Sequence, residues 1–332
     1  MRAWVVHRPG PIDSGPLALV TRPEPEPAAN EIRVRISVCG VCRTDLHLAE
    51  GDLMPRRRDV TPGHEVVGTV DAVGPDVTRF AIGDRAGIAW LRHTDGVCRF
   101  CRRGDENLCL APRFTGWDDD GGYAAAAVVD EAFAYRVPES LSDEQAAPLL
   151  CSGIIGYRAL RRSRLPSGGR FGIYGFGASA HLAAQVAMYE GATVHVLTRS
   201  EAARHLALEL GCASARDAYD LPPEPLDAAV LFAPVGDLVP SAMRGLDRGA
   251  TLAIAGVHLT DVPKLVYDDA LFEERALTST TANTRRDGEE LLALATAIPL
   301  RVTTVPYAFE DADRALADLA HDRITGAAVL HM

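Results

Sequence analysis

Lysine is almost missing from this chain: of its 34 basic lysines and arginines, only Lys264 is a lysine. So lopsided a choice reads as genomic base composition rather than function. Positive charge is scarce too, with a formal net charge of −11 over 332 residues, which argues against a nucleic-acid surface. The longest basic cluster, Arg56-Arg57-Arg58, reads as a solvated loop. No apolar run reaches membrane-spanning length. The opening Met1-Arg2-Ala3-Trp4-Val5-Val6 enters a strand-like segment without the layout of a secretory leader, so a cytoplasmic protein is expected. Internal repeats and low-complexity stretches are absent. The seven cysteines are an odd number, and five sit among other ligand-type residues. Metal-bound thiolates in a reducing compartment fit that usage better than a disulfide framework.

The length allows two domains with proper cores, and 47% hydrophobic with 24% charged residues is ordinary for a globular protein. Up to about residue 150 the chain is rich in glycine and proline and reads as short strands. Glu31 to Val38 alternates apolar and polar, and Glu65 to Val73 is a valine-rich strand closed by Gly74-Pro75. From about Gly153 strands and helices alternate. Arg170 to Tyr174 is a buried strand, Ala178 to Tyr189 a helix, and Thr193 to Leu197 a strand. A helix capped by Ser200 follows, then strands at Asp227 to Phe232 and Ala250 to Ala255. That series predicts a doubly wound parallel sheet. The tail, from about Arg285, predicts helices at Asp287 to Ala297 and Glu310 to Ala320 and strands near Val302 and Ala328.

Gly175-Phe176-Gly177-Ala178-Ser179-Ala180 follows a strand and opens a helix. Gly175 and Gly177 permit a tight turn and close approach to a pyrophosphate, with the helix start at Ala178 and Ser179 stabilising its charge. The motif alone is weak; its strand–turn–helix setting makes it a dinucleotide site. At the end of the next strand an acidic residue would hold the ribose 2′-hydroxyl of NAD. Thr198 stands there instead, followed by Arg199, which suits a 2′-phosphate, so NADP is expected over NAD.

Cys42-Arg43-Thr44-Asp45-Leu46-His47 and Gly63-His64-Glu65 place a thiol, a hydroxyl, carboxylates and imidazoles close together. Cysteine and neutral histidine are preferred zinc ligands, and a catalytic zinc takes three protein ligands and one open position. Cys42 and His64 would supply two, and Cys151 is a candidate third. Singly, His47 would be a surface imidazole, Thr44 a capping hydroxyl and Cys151 a buried core thiol. Cys39 and Cys212 are expected as packed small residues.

Together with Gly83-Asp84-Arg85, the stretch from Cys98 to Cys109 and the glycine loop, these motifs resemble the zinc-dependent alcohol dehydrogenases of the medium-chain dehydrogenase/reductase superfamily, nearly end to end. The resemblance implies an α/β protein with a GroES-like β-rich catalytic domain, residues 1–152 and 285–332, and a Rossmann doubly wound parallel sheet, residues 153–284. It implies Cys42, His64 and Cys151 as catalytic zinc ligands, with Asp45 orienting His64 and Glu65 behind the metal. Thr44 would bond the substrate oxygen and His47 continue the proton path. Arg43 and the glycine loop would hold the pyrophosphate, and Trp90 would line the substrate pocket. The implied reaction is hydride transfer between a nicotinamide cofactor and a small-molecule alcohol/aldehyde pair, in a homodimer or homotetramer without membrane or nucleic-acid partners.

The family's structural-zinc lobe, here about residues 92–110, carries four close cysteines. Cys98, Cys101 and Cys109 match, but Asp95 stands where the first belongs. An Asp-Cys₃ site is chemically feasible and would stabilise the lobe, with His93 an alternative ligand. Near the C-terminus, where relatives often carry Gly-Arg, Gly326 precedes Ala327, so cofactor affinity is expected to be modest. Two other readings use the same fold: a reductase of activated C=C bonds, and a non-catalytic nucleotide- and zinc-binding protein. The complete set of Cys42, His64, Cys151, Thr44 and His47 speaks against both.

Overall fold

The computed structural model describes residues 1–332. The chain divides into two compact units: Met1–Cys151 with Ala282–Ala297 and Arg301–Met332, and Ser152–Thr281 with Ile298–Leu300.

The first unit is β-rich. Its main sheet runs Thr304–Ala308, Ala327–His331, Glu31–Val41, Val66–Val73, Arg85–Ile88, Ala134–Arg136, and Ala126–Asp130 pairs with Glu31–Val41 as well. The long strand Glu31–Val41 organises it. Ile32, Val34 and Ile36 alternate inward, and burial then becomes continuous from Val38 to Val41. In that stretch the strand is flanked on both sides, Cys39 lying opposite Val66 on one neighbour and Leu330 on the other. The strand thus outruns the alternation that ends at Val38, and its earlier part, Glu31–Arg35, is flanked instead by Ala126–Asp130 and Val66–Val73. Its apolar side joins Trp4, Ile88 and Phe309 in one core.

The tail departs from expectation at its edges. The first closing strand is Thr304–Ala308 rather than near Val302. It is the outermost strand of the sheet, the position where Pro306 costs no ladder bond. The helix expected from Glu310 begins at Ala312, because Phe309–Asp311 forms a tighter 3₁₀ turn.

The second unit is a six-stranded sheet with only parallel pairs. Its order is Ser214–Arg216, Thr193–Leu197, Arg170–Tyr174, Leu226–Leu231, Leu246–Ile254, Ala276–Ser279. Counted along the unit this is 3-2-1-4-5-6, the doubly wound order whose reversal lies between its first and fourth strands. The four inner strands carry apolar runs buried on both faces, as parallel pairing favours, while the edge strands Ser214–Arg216 and Ala276–Ser279 are only part-buried or exposed. Ser200 caps the helix Glu201–Glu209, its hydroxyl accepting from the Ala203 N–H at 3.2 Å. No helix is long and apolar enough to cross a membrane.

Candidate active site and metal centre

Residue 42 ends the long strand's exit and precedes the helix Arg43–Glu50. Asp45, in that helix's first turn, folds back on the chain. Its Oδ2 accepts the Cys42 N–H at 2.9 Å, while Oδ1 accepts the Gly63 N–H at 3.0 Å and faces His64 Nδ1 at 3.1 Å. One carboxylate, 2% exposed, thus ties two distant segments together and sets the histidine tautomer: Nδ1 carries the proton, and the Nε2 lone pair points away.

That lone pair meets sulfur. His64 Nε2 lies 3.3 Å from Cys151 Sγ, and Cys151 Sγ lies 3.8 Å from Cys42 Sγ. The donor atoms of Cys42, His64, Glu65 and Cys151 all fall within 4.8 Å of one another. Two thiolates sharing a tetrahedral zinc at about 2.3 Å would stand roughly 3.8 Å apart, so the spacing and the N/S donor set fit that metal. Cys151 reaches the group from a π-helical turn, Leu149–Gly153, of the kind that recurs at functional sites.

Charge is distributed to match. The hydrogen bond from the Cys151 thiol, with help from His64, holds Cys42 well below the ordinary thiol range against the cost of burial. The same bond and burial push Cys151 well up. Burial opposes protonation of His64, but the Asp45 charge outweighs it and the imidazole is raised. Glu65 is pushed well above the carboxylate range, first by burial and then by the Cys42 charge. Its carboxylate lies over Gly40: a Cβ there would stand 1.8 Å from Glu65 Oε2. Sequence reasoning missed Gly40, whose requirement comes entirely from this long-range approach.

Thr44 is buried, its Oγ1 3.8 Å from Cys42 Sγ. His47, three residues on and so on the same helix face, is part-exposed, with Nδ1 3.0 Å from Asp52 Oδ2. Trp90 sets its ring edge-on to His64 at 5.0 Å. Behind it stack Phe114 at 4.9 Å and Trp117 at 5.9 Å, neither of which the sequence marked. Thr115 between them pins the arrangement, its N–H donating to Trp90 O and its hydroxyl to Ala89 O. Arg56 lies in an exposed loop, as expected, and from there sits 3.7 Å over the Trp117 ring and bonds Asp118. Arg43 pairs with Asp322.

The lobe brings together Asp95, Cys98, Cys101 and Cys109, again within 4.8 Å. The N–H groups of Cys98 and Val97 grip Asp95 Oδ1 at 2.9 Å and lower its pKa to about 2. Cys109 Sγ accepts the Asp95 and Ala111 N–H groups, and Cys98 and Cys101 sulfurs are 3.6 Å apart. Three sulfurs and an ionised oxygen suit zinc. His93 is not in the group; it ends the strand Leu91–His93 exposed, its ring tilted against Phe133. Cys109 is buried, while Cys98 and Cys101 are part-buried. Cys39 and Cys212 are buried, outside both groups.

In the second unit Gly175 has φ +85°, and a Cβ there would meet Ala233 N at 2.8 Å. Glycine is therefore required where the loops after the first and fourth strands meet. Gly177 begins the helix Ala178–Tyr189 with no side-chain cap, so the N–H groups at Ala178 and Ser179 remain available to a phosphate. Thr198 is buried, its N–H donating to Arg216 O at 3.0 Å. Arg199 is exposed beside it.

Comparison with known proteins places this arrangement. Residues 28–139 match the alcohol dehydrogenase GroES-like domain. The chain is 58% identical to a probable alcohol dehydrogenase, AdhA, of Mycobacterium tuberculosis, over 99% of this chain and 97% of that one. It is 32% identical to an alcohol dehydrogenase of Geobacillus stearothermophilus, covering 95% and 96% of the two. Among solved structures, a cinnamyl alcohol dehydrogenase of Sorghum bicolor superposes with a TM-score of 0.89 at 25% identity, covering 99% and 97%.

Proposed function

The chain belongs to the alcohol dehydrogenases of the medium-chain dehydrogenase/reductase superfamily, and from that premise we propose a zinc-dependent enzyme that interconverts alcohols and aldehydes with NADP as its favoured hydride carrier. Oxidoreductase action on alcohols with a nicotinamide cofactor is the family's activity and this chain's. The observation that carries the zinc assignment is the convergence of Cys42, His64 Nε2 and Cys151 with Asp45 fixing the imidazole.

Zinc bound there would supply Lewis-acid polarisation of the substrate oxygen. The nicotinamide would supply the hydride acceptor or donor. The chain's own residues do the rest. Cys42, its thiol lowered by its neighbours, and His64, oriented through Nδ1 by Asp45 and ligating through Nε2 once any proton there has left, would supply two ligands. Cys151 becomes the third once its proton has left. The buried Thr44 hydroxyl bonds the substrate oxygen and passes its proton on. His47, part-exposed and steadied by Asp52, releases that proton to water. Glu65 sits buried behind the ligands, its carboxyl raised first by burial. The Trp90, Phe114 and Trp117 stack offers a flat apolar wall, which favours substrates with a planar apolar body.

The exposed Arg199, with no acidic residue at that strand end, supports the 2′-phosphate reading. Asp95, Cys98, Cys101 and Cys109 would hold a second zinc that braces the lobe. The test is reduction of an aldehyde panel with NADPH and NADH side by side, before and after chelation, with metal content measured. Activity that prefers NADPH and disappears with the metal supports the reading; full activity in metal-free protein defeats it.

A further inference from the structure

The first unit contains a cavity of about 520 Å³ that shares no residue with either metal-ligand group. Four guanidinium groups line it, those of Arg22, Arg57, Arg92 and Arg113, against three carboxylates, Glu31, Asp119 and Asp120. This is a locally positive place in a chain whose net charge is −11. Arg92 is buried at 8% exposure, with its Nε 3.2 Å from Asp119. Asp120 receives Arg22 at 3.2 Å and Arg57 at 3.6 Å. Arg22 also donates to the Asp59 carbonyl and Arg92 to those of Asp120 and Val128, but with five donors on each guanidinium the carboxylates and carbonyls do not take them all. The remaining wall is apolar, from Pro23, Pro25, Ala124, Ala126 and Ala127. The volume lies in the range of small-molecule sites.

We propose that this cavity binds an acidic small molecule with an apolar body, a carboxylate or phosphate monoester, and that its occupancy adjusts the catalytic rate. The route is short. Asp120 Oδ1 also accepts the Thr61 N–H at 2.9 Å, three residues before His64. The adjoining Gly121, Gly122 and Tyr123 N–H groups donate to Thr61, Gly63 and Pro62 carbonyls. A ligand anion that recruits Arg22 and Arg57 loosens their hold on Asp120, and with it the segment that carries the histidine.

The test titrates the zinc-loaded enzyme with 3-phenylpropionate and with phenyl phosphate, using 3-phenylpropionamide and inorganic phosphate as controls. At least one acid is expected to bind about tenfold or more tightly than both controls, the advantage of charge-assisted bonds joined to apolar burial. Arg57→Gln and Arg113→Gln, both at part-exposed side chains outside the metal-ligand groups, should each weaken it about tenfold. Binding should change kcat at least about twofold, leave KM for the aldehyde unmoved, and lose both effects in the variants. Tighter binding of one acid than the other identifies the headgroup. The proposal is overturned if neither acid binds better than the controls, if the variants bind as the parent does, if the acids compete with aldehyde or cofactor, or if binding leaves kcat unchanged.

Discussion

Replacing Asp45 by asparagine tests the metal centre at its most connected atom pair. The carboxylate accepts three bonds: the Cys42 and Gly63 N–H groups and His64 Nδ1–H. An asparagine amide has one acceptor and one donor end. Whichever way it turns, its NH₂ group faces an N–H at one oxygen position, so at least one bond is lost and a donor is set against a donor. The charge that favours the Nδ1–H tautomer disappears as well. Hydrogen bonds to ionised groups contribute about 1.5–3 kcal/mol each, so the loss of one predicts zinc binding weaker by roughly 10- to 150-fold. That agrees with the 10- to 100-fold range for groups that orient a ligand from behind. The assay is competition for zinc against a chromophoric chelator, with kcat measured at saturating metal and far-ultraviolet circular dichroism as a check on folding. Zinc affinity within about twofold of the parent in a folded Asp45→Asn protein would refute the reasoning.

Gly40→Ala places a Cβ 1.8 Å from Glu65 Oε2; it should destabilise the fold by about 1–3 kcal/mol, seen as a lower denaturant midpoint, and depress turnover more than Gly10→Ala, where the nearest atom to a Cβ stands at 3.4 Å. Removing the lobe's ligand set with Cys98→Ser should lower Tm and halve the zinc content from about two per chain, while kcat of the enzyme that remains folded stays near the parent's. Arg199→Ala should reduce the NADPH-over-NADH preference in kcat/KM by about tenfold, the loss expected for one charge-assisted contact, and leave NADH use unchanged. Asp71 titrates below its ordinary value because hydrogen bonds from Arg33 and Arg35 outweigh burial. A depressed folded-state pKa gives stability that is complete above the unfolded value and lost as pH falls through the folded one. Asp71→Asn should therefore cost stability at neutral pH and flatten the acid limb of the stability curve below about pH 4.

The two groups proposed as zinc ligands were legible as candidates because most members are cysteines or histidines, which are rare in this chain, and the structure brings each group together: Cys42, His64 and Cys151, then Asp95, Cys98, Cys101 and Cys109. The parallel sheet was legible because its strands are short apolar runs separated by capped helices. What escaped depends on approach between segments far apart in sequence. Nothing local distinguishes Gly40 from other strand glycines until Glu65 arrives above it. Phe114 and Trp117 carry no period or motif, and they become a wall only when Thr115 fastens their loop to Ala89 and Trp90. Arg56 is solvated as its setting suggests, but its cation–π partner 61 positions along leaves no mark nearby. His93 looked like a ligand by proximity, but its ring meets Phe133 and it stands outside the group.

The pairing of Leu330 with Cys39 has a consequence for how the protein is made. On the ribosome, all the ligands proposed for both zinc sites have been synthesised once residue 151 is joined. The strand Ala327–His331, which covers the flank of Val38–Val41 just before Cys42, comes some 180 residues later, about 10–35 s at ordinary elongation rates. Through that interval the segment leading into the metal centre offers an unpaired edge to any neighbouring nascent chain. Early metal capture would guard Cys42 and Cys151 from premature oxidation during the wait, and late strand closure would seal the product.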